Sequence, residues 1–583
     1  MSEKIERLAK YLLLLALILT FDYHQIIATD ANGPTAVPTF HCLGLYWSPA
    51  EGAKSNECQV KYRIAGTSVW KTAMPLWFDE RNHEYRGSIV HLDPGTPYEI
   101  KLSLKETGIA ATFTASTWKE NFPIAKTIYL PEESNSTLVI DQSGTSNGYI
   151  LYTHAKGTSS IIDINNQEEV CIDVQSNVSH VIIRGLILKG ARKHGISLGQ
   201  EVHDIVIEAC DISGWGTNEE DGWGVNYHSA VYAGSNSAVE RIIIQRNKLH
   251  HPRSDANSWT EYRATRDTYH PRGPQAVAFY NSNGNHVIRY NEIYSDEAHY
   301  FNDALGYGSN FSVQGFPNCD SDIYGNFISH CWDDGIESEG ANRNVRIWGN
   351  HIDKTFVKIA IACTSVGPLY IWRNIANTSR KSAMESNSDL YGRGRFIKAG
   401  GKIKNGIWYG SGRTYVFHIT ILQPHPAQGQ IHPLGCDGGI IGSGGEVYEI
   451  ISRNNILTNY QDGLDAFQDK TNCCTNDFDY DLYNGNIGAH CSSHPHQSHG
   501  IKALPIFAVN NGPGEYALAP RTPGFDAGMI LPNFNDNYHG NGPDMGAFEA
   551  NSPPMEFGVN AARKEVLSKK VNPLTDSKKE STQ

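Results

Sequence analysis

Residues 331–340 read CWDDGIESEG and place four carboxylates within ten residues, at Asp333, Asp334, Glu337 and Glu339. The stretch also has the alternation of a β-strand, in which Glu337 and Glu339 share one face and Ile336 lies on the other. Such a group of acids could be a solvated sheet face, a metal site, or the acid and base of a hydrolase. These three interpretations remain open at this point.

Three long insertions flank the acidic stretch and carry side chains suited to an acidic sugar. The first, HPRSDANSWTEYRATRDTYHPRGPQ, contains His270 and Arg272; the second, YFNDALGYGSN, contains Asp303 and Tyr307; the third, YGRGRFIKAGGKIK, contains Arg393, Arg395 and Lys398. Arginine and lysine bind carboxylates, and aromatic rings stack on sugars. A walled cleft that binds an acidic carbohydrate is therefore expected around the acids.

β-Elimination on a uronic acid needs a group that neutralises the carboxylate, a base for the C5 proton and an acid for the leaving oxygen at C4. The predicted catalytic residues are His270, Arg272, Tyr307, Asp333, Asp334 and Glu337. The predicted substrate-binding residues are Asp303, Arg393, Arg395 and Lys398. No residue is assigned as a metal ligand, and the cofactor stays open, with a divalent cation such as calcium as the candidate.

Two other functions compete with elimination. One is a glycoside hydrolase that uses Asp333, Asp334 and Glu337 as its acid, base or nucleophile. The other is a non-catalytic, glycan-binding surface protein. An adhesin has no need for three insertions around one acidic coil, which favours an enzyme.

An internal repeat predicts the scaffold that positions these residues. The segments DIYGNFI, RIWGNHI and YIWRNIA align on Asn326, Asn350 and Asn374, each 24 residues apart. Further asparagines fit the same position, at Asn247, Asn291 and Asn454. Short β-branched runs at this period indicate stacked coils of strands, with the asparagine amides bonded in a ladder. The repeat also predicts that Ile336 stacks on Ala360 in the core, which leaves Glu337 and Glu339 on the outer face.

These repeats resemble the right-handed parallel β-helix of pectate-lyase-like proteins, and GPDMGAFE is similar to the end of many such domains. The resemblance covers residues 125–550 and implies an all-β fold and an enzyme acting on carbohydrates. It is a resemblance of fold family, so the reaction depends on the site itself.

The flanking segments complete the predicted organisation. Residues 1–28 combine basic residues with a short apolar run and predict an export signal, with an uncleaved anchor as the alternative. Residues 35–117 resemble a fibronectin type III domain, on the evidence of Trp47 and of Tyr98 after a Pro/Gly turn. Residues 551–583 are charged and polar, which predicts a disordered tail. The pairing of sandwich and helix is similar to a bacterial oligosaccharide dehydratase family of ulvan breakdown.

The net charge limits the partners. At −13 the chain does not suit general binding to nucleic acid or to an anionic membrane. No membrane span is expected once the signal is removed, and the location is predicted as periplasmic, cell-surface or secreted. The expected partner is an acidic polysaccharide or oligosaccharide.

Overall fold

The computed structural model describes residues 33–257, 270–308, 310–379, 393–422, 435–442, 447–459, 465–469, 475–489, 495–508 and 516–563. The predicted export signal lies outside these residues. No α-helix occurs among them, so none of the described chain forms a helix that could cross a membrane.

The N-terminal module is a set of antiparallel strands. They are β1 (Thr35–Pro38), β2 (Leu43–Trp47), β3 (Cys58–Ile64), β4 (Lys71–Asp79), β5 (Glu84–Ile89), β6 (Pro97–Leu104) and β7 (Ala110–Ser116). β4 pairs with β3 through its first residues and with β5 through its last. Trp47 is buried in the core, and the Asp93 backbone N–H donates to the Tyr98 hydroxyl at 2.8 Å. The fibronectin type III identity of this module stays a prediction.

The strands of the long domain follow in chain order. They are β8 (Ile124–Tyr129), β9 (Glu133–Ser134), β10 (Leu138–Ile140), β11 (Tyr149–Thr153), β12 (Ile161–Asp163), β13 (Val170–Val174), β14 (Ser179–Arg184), β15 (Ile187–Lys189), β16 (His194–Leu198), β17 (His203–Glu208), β18 (Asp211–Ser213), β19 (Ser229–Ala233), β20 (Glu240–Gln245), β21 (Lys248–His250), β22 (Gln275–Phe279), β23 (Val287–Arg289), β24 (Glu292–Tyr294), β25 (Leu305–Gly306), β26 (Gly315–Phe316), β27 (Asp322–Tyr324), β28 (Phe327–Glu337), β29 (Glu339–Gly340), β30 (Val345–Trp348), β31 (His351–Ile361), β32 (Leu369–Trp372), β33 (Ile375–Ala376), β34 (Arg393–Ala399), β35 (Lys402–Lys404), β36 (Ile407–Tyr409), β37 (Thr414–Phe417), β38 (Thr420–Ile421), β39 (Gly435–Gly442), β40 (Ile450–Arg453), β41 (Ile456–Leu457), β42 (Asp465–Asp469), β43 (Asp477–Phe478), β44 (Leu482–Tyr483), β45 (Asn486–Ala489) and β46 (Ile501–Lys502).

Most of these strands form three parallel rows, and one strand of each row makes one coil. β26 with β29 and β35 with β36 form separate antiparallel pairs. The first row runs from β8 through β14, β27 and β32 to β43. The second includes β15, β18 and β21, and the third includes β16, β19, β22 and β25. β28 and β31 are long enough to belong to both the second and the third row. A continuous column of buried Ile, Val and Leu side chains fills the centre. The all-β fold class and the parallel β-helix are therefore confirmed.

The predicted asparagine ladder runs through the bend between the first and second rows. Asn247, Asn291, Asn326, Asn350 and Asn374 are all fully buried. Each of the first four donates from Nδ2 to Oδ1 of the next, at distances of 2.9–3.1 Å. Every amide also donates to a backbone carbonyl, so the ladder satisfies polar groups that would otherwise be costly to bury.

The assignment of Asn454 to this ladder is wrong. The neighbouring Asn455 takes the ladder position, accepting from the Ile419 backbone N–H at 2.9 Å and donating to Asp481 at 2.7 Å. Asn454 has a positive φ of 60° and bonds the backbone of Met529 instead. Two adjacent asparagines read alike in the sequence, and only the left-handed backbone separates them.

Replacing Asn350 with alanine should lower the free energy of unfolding by roughly 1–3 kcal/mol. The change would remove the acceptor of two donors of Asn326 and the side-chain donor to the Ile323 carbonyl, while the backbone N–H of residue 350 can still donate to Asn374 Oδ1. Thermal or chemical denaturation measures the effect, with the exposed Asn135→Ala as the control. Equal stability of the two variants would contradict a buried ladder.

A β-bulge changes the register beside the acidic stretch. β28 and β31 shift register within residues 331–334. Beyond the shift, Ile336 lies beside Ile359 and Glu337 beside Ala360. The prediction that Ile336 stacks on Ala360 is therefore wrong by one residue. The even 24-residue repeat concealed the extra residue that a bulge inserts.

The bulge has a chemical consequence. Adjacent residues of a regular strand point to opposite faces, which would separate Asp333 from Asp334. An extra residue re-aims a side chain, and here oxygens of both carboxylates lie within 4.8 Å of each other. Glu339 is 3 % exposed, so the open interpretation of these acids as a solvated face does not hold for it.

The module and the C-terminal segment both pack on the helix. Tyr46 donates to Asp320 at 2.7–2.8 Å, and Arg86 Nε donates to the Gly367 carbonyl at 3.0 Å. In the predicted tail, residues 551–563 are described, and Arg246 donates to two of their carbonyls at 2.7 and 3.0 Å. The chain thus stays packed on the helix beyond residue 550, whereas residues 564–583 lie outside the described part.

Candidate active site

Carboxylates converge beside β28, on the outer side of the third row. They form two overlapping groups whose oxygens lie within 4.8 Å: Asp303, Asp333 and Asp334, and then Asp334, Glu337 and Glu339. All but the half-buried Glu337 are buried. We call these five residues the acid cluster. Like charges this close repel strongly in a low dielectric, so the cluster needs protons or cations to exist.

Asp303 is held by hydrogen bonds from three directions. It accepts from Gln275 Nε2 at 3.1 Å, from Asn302 Nδ2 at 2.8 Å and from the Asp334 backbone N–H at 3.0 Å. A carboxylate fixed in this way has little freedom to move toward a substrate. Asp303 is therefore a fixed member of the acid cluster, and its role in substrate binding stays a prediction.

The two glutamates are anchored by backbone donors. Glu337 accepts from the Tyr307 N–H at 3.2 Å and from Asn310 Nδ2 at 3.3 Å. Glu339 Oε1 accepts from the Ala362 N–H at 3.0 Å. Tyr307 thus meets the acid cluster through its backbone, while its ring stacks elsewhere.

Lys398 places its ammonium group against the acid cluster. Its Nζ lies 2.6 Å from Asp334 Oδ2 and 3.7 Å from Glu339 Oε1. Burial lowers the pKa of Lys398, but the attraction of Asp334, Glu339 and Asp333 outweighs it and holds the pKa well above its usual value. Its proton is therefore held by the surrounding negative charge, and neutralising that charge would release it.

His270 forms the rim of the site. Its Nε2–H donates toward Asp333 Oδ2 at 3.3 Å and its Nδ1–H donates to the Pro271 carbonyl at 2.8 Å. Burial lowers the pKa of His270, but Asp333 outweighs this and raises the pKa to about 9. With both nitrogens donating, the ring is an imidazolium at neutral pH. Its side chain is 53 % exposed, so it can reach a bound ligand.

The carboxyl groups divide by protonation. Burial and neighbouring carboxylates raise the pKa of Asp303 and Asp334 well above the usual value. Burial raises the pKa of Glu339 to about 8. Burial also raises that of Asp333, but Lys398 and His270 outweigh it, so the pKa of Asp333 is lowered. These shifts reflect the mutual repulsion of buried carboxylates, which a bound metal cation would relieve.

The donor set fits a hard divalent cation. Among the described residues, Asp334 Oδ1 and Glu339 Oε2 are buried without a hydrogen-bond partner. A buried acceptor left unpaired is costly, and a cation would satisfy both. Converging carboxylate oxygens are the ligands that calcium and magnesium prefer. The residues present therefore fit such an ion.

The remaining predicted residues lie around this centre. Arg272 is half-buried two residues after His270. Arg395 is half-buried on β34, three residues before Lys398. Arg393 begins the same strand, and only its backbone pairing with Gly435 is described. The structure thus brings Lys398 into the acid cluster, and the roles of Arg272, Arg393 and Arg395 stay predictions.

Sequence reasoning missed three residues that build the site. Glu339 belonged to the acidic stretch and was placed on the outer face, but it was not among the predicted site residues. Gln275 and Asn302 orient Asp303, and both lie in insertions with no repeat or motif to mark them. Glu339 could have been found from its place two residues after Glu337 in the acidic stretch. No local sequence signal marks Gln275 or Asn302.

The chain has only distant structural likeness to known proteins. No family model and no curated protein matches the sequence. Among solved structures, pectate lyase Pel9A aligns with a TM-score of 0.37 and 11% identity, over 73% of this chain and 86% of that one. The catalytic domain of a GH87 alpha-1,3-glucanase gives 0.25 and 10%, over 68% and 87%. Pectate lyase PelI from Erwinia chrysanthemi gives 0.16 and 11%, over 58% and 85%. The likeness says nothing of the site.

Proposed function

We propose that this protein is an exported enzyme that cleaves uronate-containing saccharides by β-elimination. The observation that carries the proposal is a buried acid cluster with two unpaired carboxylate oxygens around the ammonium group of Lys398. Such a centre suits a cation and an acidic ligand together. The leaving group is a glycan in a polysaccharide lyase and water in an oligosaccharide dehydratase, and the proposal covers both.

The residues take complementary roles in proton transfer. A divalent cation held by the acid cluster would neutralise the uronate carboxylate, which acidifies the proton at C5. With the carboxylates neutralised in this way, the ammonium of Lys398 would no longer be held in its charged form and would lose a proton to solvent. The resulting Nζ amine then accepts the C5 proton. The C–H electron pair forms the C4–C5 double bond as the C4–O bond breaks. The imidazolium of His270 protonates the departing oxygen.

The geometry does not favour hydrolysis by the same acids. A hydrolytic general acid or nucleophile must reach the sugar with its carboxyl group. Here Asp334 accepts from Lys398 Nζ at 2.6 Å, and Asp333 lies 3.3 Å from His270 Nε2. Both carboxyl groups are therefore engaged with cations, which supports elimination.

The proposal is tested by the product. Incubation with uronate-containing glycans should give a rise in ultraviolet absorbance from the new conjugated double bond. A hydrolase acting on the same glycans would release saturated sugars and no such signal.

Calcium should raise the melting temperature of the full-length protein, and a chelator should reverse the rise. A ligand that binds only the folded state stabilises it by about 2.7 kcal/mol at 100 times its Kd. Glu339→Gln keeps an acceptor for the Ala362 N–H but removes a charge, so it should weaken the shift. Exposed Asp141→Asn is the matched control. An unchanged melting temperature with calcium in the wild type would contradict the cation site.

His270→Ala should lower turnover by about 10²–10⁴-fold on ordinary glycans, because the leaving oxygen would depart without a proton. The loss should shrink on a uronate that carries a 4-O-aryl group, since a phenolate leaves without acid catalysis. Steady-state rates on the two substrates measure this. An equal loss on both would assign His270 another role.

A further inference from the structure

A second pocket lies on the third row, several coils before the acid cluster. Its volume is about 510 Å³. Its lining includes Asp173, Lys193, His194, Ser197, Asn226 and Tyr232. It shares no residue with the acid cluster, and nothing in the proposed chemistry uses it.

Strand register places this pocket and the acid cluster on one line. Asp173 lies beside Ser197, and Ser197 beside Tyr232. The same row continues through Ala278 and Gly306 to the acid cluster. Tyr232 is thus three strand spacings from Glu337, about 14 Å along the helix axis. A saccharide chain lying along this axis would reach both.

Aromatic rings span the distance between the two. Tyr232 and Tyr307 have centroids 6.4 Å apart, and Tyr307 stacks on Tyr227 at 3.6 Å and meets Tyr280 at 4.7 Å. The Tyr307 backbone N–H bonds Glu337 of the acid cluster. All four rings are half-buried, so they form a partly exposed floor. Tyrosine edges and faces are well suited to sugars, because they combine apolar area with a hydroxyl.

The pocket is rigid and presents hydrogen-bonding groups. The His194 and Tyr232 rings are parallel within 6° at 3.9 Å. His194 Nδ1 accepts from the Ser229 backbone N–H at 3.1 Å, so its proton lies on Nε2. That Nε2–H has no hydrogen-bond partner among the described residues and can donate to a ligand hydroxyl. Ser197 and Asn226 add further polar groups.

The charge of the pocket does not suit an acidic sugar. Lys193 is paired with Glu169 at 2.7 Å, and Asp173 adds a further negative charge. Burial lowers the pKa of both His194 and His228, so these rings are neutral at pH 7. Without an unpaired cation, the pocket would repel a carboxylate. A neutral sugar, rich in hydroxyls, fits its groups.

We propose that this pocket is a distal subsite for an uncharged sugar unit of the same saccharide whose uronate is bound at the acid cluster. The inference rests on the proposed function and extends it. The substrate would then be a mixed glycan that extends over at least three strand spacings, and a pure polyuronate would fit less well.

The test measures binding against chain length. Oligosaccharides of graded length from ulvan and glucuronoxylan, which mix neutral and acidic sugars, are compared with those from polygalacturonate and alginate. Calorimetry with the Lys398→Arg protein avoids turnover. Affinity for at least one mixed glycan should rise about tenfold once the chain is long enough, and that gain should be absent from both polyuronates.

Two pocket variants and one control test whether the gain in affinity with chain length comes from this pocket. Tyr232→Ala should abolish it, and Ser197→Tyr should do so by filling the pocket from an outward, half-buried position, which leaves the core intact. The exposed Tyr129→Ala on the first row should keep it. The subsite proposal would be overturned by any of three results. The gain in affinity with chain length could survive in both pocket variants, it could be equally large with polyuronates, or no glycan could bind. If the enzyme forms an unsaturated product but its affinity for long glycans does not depend on Tyr232, the subsite is wrong and the proposed function stands. If binding depends on Tyr232 but no unsaturated product forms, the elimination is wrong and the subsite stands.

Discussion

Lys398→Met should reduce turnover on uronate glycans by at least about 10³-fold, because the proposed base for the C5 proton is lost. Lys398→Arg is the sharper variant. Arginine keeps the positive charge beside Asp334 but does not lose its proton in a protein. It can therefore bind the carboxylates but cannot act as a base. It should retain substrate binding and still lose turnover. Initial rates and calorimetry separate the two effects.

Lys404→Met is the matched control, since Lys404 is exposed in the same basic segment. Its activity should equal that of the wild type. Near-wild-type turnover in Lys398→Arg would show that Lys398 supplies only charge, and the base would then have to be sought elsewhere in the site.

Asp334→Asn should lower turnover by at least about 100-fold at limiting calcium. Asp334 belongs to both carboxylate groups of the acid cluster and accepts from Lys398 Nζ at 2.6 Å. Removing its charge weakens cation binding and frees the lysine. Saturating calcium should restore part of the rate, because affinity rather than a reacting group has been lost. Rates across a calcium series measure this.

Asp141→Asn, an exposed aspartate of the first coils, should leave the calcium dependence unchanged. If Asp334 is instead a hydrolytic acid or nucleophile, its loss would be complete at every calcium concentration. That outcome, with a saturated product, would support the glycosidase alternative.

The fold was predictable because its signal is repetitive. An asparagine every 24 residues marks a buried amide ladder, and the ladder from Asn247 to Asn374 is present. The prediction failed at Asn454 because a positive φ moves the ladder to Asn455. Periodicity indicates which type of residue recurs, but a local backbone choice decides between neighbours.

The site was predictable only as a region. The acids of residues 331–340 and Lys398 were identified by type and by the insertions around them. Their arrangement depends on a bulge that no periodicity shows, and this bulge set the register of Glu337 and brought Asp333 and Asp334 together. Of the two amides that hold Asp303, Asn302 is its neighbour in sequence and Gln275 lies 28 residues earlier, and no repeat or motif marks either of them.

The most direct test of elimination is the ultraviolet spectrum of the product. The wild-type protein, supplied with calcium, is incubated with ulvan, polygalacturonate, alginate and glucuronoxylan oligosaccharides, and the absorbance of a 4,5-unsaturated uronate is followed together with the product mass. Elimination predicts rising absorbance and, for a lyase, no mass gained from water. A cleaved but saturated product, one water heavier in total, would contradict the account.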